Sequence, residues 1–204
     1  MTEEPTRPHR PARFADLTEM IDAAGGSSAQ SRAEVAAATA AVLVQAGRSP
    51  GDGARFVALA DSVGIDTLAA LWHDADPVSL PGALWALYLL RQWCRSGSDE
   101  VTRLWRAGEH LAPAESVVAG VGEYADADAV QHTADAVLTG VYQGDLAVAL
   151  ERAAAFFRVV AAGRRSIGPD AQFAPDGVDL ADRNERVAAS LSAAARHWRA
   201  GTLH

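Results

Sequence analysis

The chain has no lysine, one cysteine (Cys94), one asparagine (Asn184) and three isoleucines in 204 residues. All 18 basic residues are therefore arginine. That bias follows from a G+C-rich coding sequence, and no function is read from it. A lone cysteine excludes an intrachain disulfide and a cysteine-built metal cluster. Isoleucine is scarce and valine is scattered rather than alternating, which argues against strands. No apolar run reaches the roughly 18 residues of a membrane span. The N-terminus is acidic, then rich in Pro and Arg, and lacks the apolar segment of a signal peptide. A cytoplasmic protein without a membrane segment is expected. Positive charge is in deficit too: 26 acidic residues give a net charge of -8. Nucleic acids and anionic membranes call for concentrated positive charge, so neither is an expected partner.

What remains is dominated by alanine, with Leu, Arg and Glu, all strong helix formers. The length allows one domain. The expected fold is all-α, a compact bundle of seven to nine helices around a buried central helix at about residues 80–95. That helix is marked by Ser79 as N-cap, Pro81 in the first turn and Gly97 as the stop. At 100° per residue, Leu80, Leu84, Leu87, Leu90 and Cys94 share one apolar face, while Trp85, Leu89 and Trp93 share another. A helix apolar on two sides is buried between partners. One polar strip remains: Tyr88, Arg91, Gln92 and Arg95.

Along the chain, residues 1–13 hold three prolines and mixed charges and read as a disordered tail. The helical bundle domain is placed at 14–163. It begins with a short amphipathic helix through Phe14, Leu17 and Ile21, then a Gly25–Ser28 joint. Ser31 and Glu34 form a capping box for a helix to Ala46. Further helices are expected over 54–63, from Asp66, from Ser98, from Pro113, from Asp126 and over 146–162. Residues 164–177, with two prolines, read as a linker loop. A C-terminal helix is expected over 178–200. There is no fixed-period repeat.

Few motifs carry chemistry. Asp128, His132 and Asp135 have a helical spacing that can gather ligands, but they lie opposite the Val130–Val137–Val141 stripe and so face solvent. Metal sites in bundles project inward; no metal and no cofactor are expected. Cys94 falls on an apolar face, where a thiol is an inert small hydrophobe. There is no Gly-x-Ser-x-Gly. Gly120 and Gly122 lack the third glycine and preceding strand of a dinucleotide loop.

Residues Leu59-Ala60-Asp61-Ser62-Val63-Gly64-Ile65-Asp66 resemble the first helix and turn of a helix-turn-helix motif, as in TetR-type regulators. The resemblance covers about fifteen residues, and implies an all-helical DNA-binding regulator with the motif at about 54–74. The next helix departs from it. Thr67–Asp74 carries no Arg, whereas a recognition helix must meet phosphates and base edges.

The Tyr88, Arg91, Gln92 and Arg95 strip is the candidate ligand-binding site. Arg91 and Arg95 lie one turn apart, and two gathered cations require a negative charge nearby. Either Glu151 supplies it, with Arg158 in the same network, and the strip is structural. Or a ligand carboxylate or phosphate supplies it. A second expectation concerns the C-terminal helix. Leu180, Asn184, Val187, Leu191, Ala194 and Trp198 alternate spacings of four and three, a coiled-coil-like seam. It serves either a homodimer or a fold back onto the bundle. The expected function is non-catalytic: a binding or regulatory module for a protein partner or a small acidic ligand. The rivals are the TetR-like regulator and an enzyme with a pocket in the bundle core, for which no catalytic residue can be named.

Overall fold

The computed structural model describes residues 29–47, 65–122, 125–175 and 178–204. The tail at 1–13, the helix expected over 14–24, the glycine joint and the helix expected over 54–63 lie outside these residues. Within them the chain forms nine helices and no sheet, as the caps and the 3.6-residue apolar period demand. They are α1 (Ala29–Gly47), α2 (Ile65–Trp72), α3 (Leu80–Ser96), α4 (Ser98–Gly108), α5 (Pro113–Ala119), α6 (Ala127–Gln143), α7 (Leu146–Ile167), α8 (Pro169–Gln172) and α9 (Leu180–Arg199). A single antiparallel bridge joins Phe173 and Asp179.

Local chemistry sets the helix starts. Ser79 Oγ accepts from Gly82 N at 3.2 Å and opens α3. Asp126, Asp145 and Asp179 do the same for α6, α7 and α9 through their carboxylates. Two starts differ from expectation. α1 begins at Ala29, so Ser31 lies inside it rather than at its cap. α4 begins at Ser98 itself, with Gly97 in the cap position and no side-chain cap bond.

The bundle has two axes. α3 is one, as expected: Leu84, Leu87, Leu90 and Cys94 are at most 1% exposed. It packs against α1, α2, α4, α6, α7 and α9. α7 is the other and the more extensively packed, touching α3, α4, α5, α6, α8 and α9. α7 runs on to Ile167, five residues past the end expected at 162. The physical reason is close approach. A Cβ on Gly163 would meet the Leu104 carbonyl oxygen at 1.9 Å, and one on Gly108 would meet that of Val159 at the same distance. The two glycines let α4 and α7 touch backbone to backbone, so Gly163 serves packing, not termination. The helix stops instead at Gly168, whose φ of 118° suits glycine, ahead of Pro169. The stretch expected to be a loop from 164 is thus partly helical, with α8 inside it.

α9 lies antiparallel along α7, since Arg165 meets Asp182 and Glu185, Arg158 meets Ser192, and Glu151 meets Arg199. Small side chains allow the contact: Ala154, Ala161, Ala181, Ala188 and Ala194 are fully buried. Among the described residues no helix is long and apolar enough to cross a membrane.

Candidate functional site

The polar strip of α3 is occupied from within. Arg91 is 3% exposed, and its Nε donates to Asp135 Oδ1 at 2.7 Å. Arg95 Nη2 donates to Asp135 Oδ2 at 3.1 Å. One carboxylate of α6 thus spans both guanidinium groups. Asp135 is therefore not a solvent-facing member of a ligand trio, since α3 packs over that side of α6 and brings the arginines to it. Its neighbours Asp128 and His132 are exposed. Glu151, one of the two sources expected for that negative charge, is held by both Nη atoms of Arg199 instead, and the Arg199 hydrogen bonds lower its pKa. Arg158 donates to Ser192 Oγ at 2.8 Å.

Tyr88 belongs to the core and not to a surface strip. It is fully buried, and its hydroxyl shares a 2.8 Å hydrogen bond with that of Tyr142 on α6. Burial pushes the Tyr88 phenol up to about 12, with the Tyr142 hydrogen bond and Arg91 pulling the other way. Burial likewise raises Tyr142 well above its ordinary value. The Tyr142 ring takes the space that a side chain at Gly47 would fill. Only Gln92 and Arg95 of the strip are exposed. Cys94 is buried, and burial, then Asp135, push its thiol up to about 12. Such a thiol stays protonated at neutral pH and is a poor nucleophile.

The resemblance at 54–74 falls mostly outside the described residues. Its second helix, α2, buries Leu68 and Trp72 completely, and Trp72 Nε1 donates to Thr39 Oγ1 of α1 at 3.2 Å. Asp66 and Ala70 on α2 are exposed, as are His73 and Asp74 just after it. The seam of α9 is used inside the chain: Asn184, Leu191 and Ala194 are buried against the bundle, while Leu180, Val187 and Trp198 are half-buried. Among the described residues no three His, Cys, Asp or Glu side chains gather as metal ligands would.

The opposite side of α3 has a different character. Trp85, Leu89 and Trp93 form one wall of a groove of about 750 Å³, with α7 and α9 completing it. That volume is ordinary for a small-molecule site. Trp85 and Trp93 are half-buried and Leu89 is 42% exposed. Three arginines line the groove, Arg164, Arg183 and Arg186, and among the described residues no carboxylate does. Arg164 is 6% exposed and lies over the Trp93 ring at 5.5 Å. Its Nη1 donates to the Ala171 carbonyl at 2.8 Å and its Nη2 reaches Glu100 at 3.4 Å. Its Nε has no acceptor, nor has Nδ2 of Asn184, which is 9% exposed. A buried donor without an acceptor costs about 1–3 kcal/mol. Burial lowers the Arg164 pKa, opposed by Glu100.

The Trp85, Leu89 and Trp93 row is legible in the sequence, but there it reads as buried; Arg164 reads as part of a loop, and Asn184 as part of a seam that serves either a homodimer or a fold back onto the bundle. The available signal was the arginine pair at 164–165 directly after an apolar helix pattern, which marks a helix C-terminus.

Comparison with protein-family models, with curated proteins and with solved structures gives no match. The functional reading rests on this geometry alone.

Proposed function

We propose that the protein is a non-catalytic helical binding module for a small acidic ligand, and that its site is the groove between α3, α7 and α9. One observation carries the reading. In a chain of net charge -8, the groove is lined by three arginines and, among the described residues, by no carboxylate. Asp182 and Glu185 are engaged on Arg165, while Glu100 pairs with Arg164 and so offsets one of the three positive charges. Arg183 and Arg186 make no ion pair among the described residues. Such local positive potential attracts anions despite the net charge. The polar strip around Arg91 is less suited, because Asp135 already sits where an anion would.

Isothermal titration and thermal unfolding of the full chain against organic acids and their neutral amides test the reading. A ligand present at about 100 times its Kd adds about 2.7 kcal/mol of stability, a clear rise in Tm. Acids that stabilise while their amides do not support it. No response to any anion at millimolar concentration overturns it.

A homodimer through α9 is a separate proposal, resting on the half-buried Val187 and Trp198. Light scattering tests it: twice 21.3 kDa supports the dimer and 21.3 kDa sinks it.

A further inference from the structure

We infer that the groove takes an elongated amphipathic monocarboxylate, with its head at the Arg164–Asn184 end and an unbranched apolar body along Trp93, Leu89 and Trp85. This rests on the acidic-ligand reading above and narrows it to one chemical class.

The groove has a direction. Arg164 lies over Trp93, at the C-terminal end of α3. Arg165 meets Asp182 and Glu185, so the antiparallel α9 brings Arg183 and Asn184 beside Arg164 at that same end. The other end is built from Trp85, Gly82 and Pro77, near the start of α3. The arginines and Asn184 are therefore gathered toward one end, and apolar surface runs from them toward Gly82, Pro77 and His73 at the other. Trp85, Leu89 and Trp93 repeat every fourth residue, so the apolar row extends about 12 Å along the helix. Val187 and Leu191 of α9 line the same groove and supply an apolar face to it. A compact anion would leave that row uncovered.

The donors fix the head group. Two of them lack acceptors, Arg164 Nε and Asn184 Nδ2. Two donors match the two oxygens of a carboxylate. A phosphate monoester would bring three oxygens and close to two charges, and Arg164 already shares its charge with Glu100 at 3.4 Å. Both donor atoms are buried in this structure, so a carboxylate meets them only when the two side chains turn toward the groove; the hydrogen bonds it then makes are charge-assisted and shielded from water.

Decanoate, whose extended chain is close to the length of the row, is the probe. It is titrated into the full chain by calorimetry below its micellar range, beside decanol, acetate and inorganic phosphate. The expected result is saturable one-to-one binding of decanoate. Decanol, without the charge, should bind at least about tenfold more weakly. Acetate, without the body, should bind at least about a hundredfold more weakly. Leu89→Asp should abolish decanoate binding and Asn184→Ala should weaken it about tenfold. Val117→Asp, at an 81% exposed apolar residue of α5, should leave it unchanged.

Equal affinity for decanol and decanoate overturns the head-group assignment. Acetate or phosphate binding as tightly as decanoate overturns the amphipathic class while leaving the acidic-ligand reading standing. No binding by any anion sinks that reading itself. Equal losses from Val117→Asp and Leu89→Asp show non-specific uptake and overturn the proposal. A wild-type dimer that Leu89→Asp converts to monomer in light scattering assigns the groove to a second copy of the chain, and also overturns it.

Discussion

Two sides of α3 carry comparable promise and differ in one respect. Toward α6, the helix presents Tyr88, Arg91 and Arg95, and each meets a partner: Tyr142 for the phenol, Asp135 for the two guanidinium groups. Toward α9 it presents Trp85, Leu89 and Trp93, and there the surface stays half open with two donors unfilled beside it. The first side is rich in polar groups and closed. The second is apolar and open. Polarity alone is therefore a poor guide to a site. A buried cation that the fold already neutralises holds helices in register, whereas an unfilled donor beside half-buried tryptophan is surface that the fold leaves partly uncovered.

The sharpest way to break this contrast is to remove the carboxylate. Asp135→Ala takes the carboxylate from Arg91, which is 3% exposed, and breaking a buried ion pair by removing one partner costs up to about 3–5 kcal/mol. Urea denaturation should show it as a lower midpoint. Leu87→Ala, at a residue 1% exposed on the core face of the same helix, should cost about 2–5 kcal/mol. A loss under about 0.5 kcal/mol for Asp135→Ala would mean that Arg91 finds water easily, and the strip would return as a candidate site.

Alkaline pH attacks the closed side next. Tyr88 rises from 10.0 to about 12 and Cys94 from 9.0 to about 12 on burial. Their folded-state values are raised, so the protonated forms are favoured by folding. Stability is full below the unfolded values and falls as pH climbs from about 9 towards 12, by at most about 1.4 kcal/mol per pH unit for each group. Denaturation midpoints measured from pH 8 upward should decline along that window. Leu89→Ala should show the same slope as wild type, because the groove contributes none of these groups. A flat profile to pH 11 would show that Tyr88 and Cys94 are not sequestered.

Tyr142→Phe has a smaller effect. It removes the 2.8 Å bond to Tyr88 and leaves a buried hydroxyl without that partner, at a cost of about 1–2 kcal/mol. Ligand affinity should not change, since this pair lies on the far side of α3 from the groove. Altered affinity would couple the two sides and break the comparison.

The helices were legible where a cap met a period: Ser79, Asp126 and Asp145 open α3, α6 and α7 as their positions imply. The all-α class and the burial of α3 followed from the same signals. What could not be read was which helix turns toward which. Asp135 is polar on its own wheel and looked solvent-facing; only the packing of α3 on α6 makes it an internal counter-ion. Gly163 directly follows the helix end expected at 162, and only the crossing of α4 shows it to be a contact. Arg164 lay beyond the expected helix end, in the stretch read as a loop, so it was not placed on the same helix as Phe157. The first two are tertiary facts with no local signal; the third had one, in the arginine pair at 164–165.

The smallest effect on stability belongs to the open side, and there the comparison is tested within one helix. Leu89 lies two positions from Leu87 and is 42% exposed against 1%. Truncating Leu89 to Ala removes side-chain atoms that are already partly hydrated, so the transfer loss is a fraction of that at Leu87 and little cavity forms. The expected cost is below about 1 kcal/mol, against about 2–5 kcal/mol for Leu87→Ala. If Leu89 contributes little to folding, its apolar surface is free to serve binding, and decanoate affinity should fall in the Leu89→Ala variant while Leu87→Ala leaves it unchanged at temperatures where that variant is folded. Paired denaturation and titration of both variants give all four numbers. A Leu89→Ala loss as large as that of Leu87→Ala would show the groove wall to be core, filled in solution by the protein itself, and the distinction between the two sides of α3 would fail.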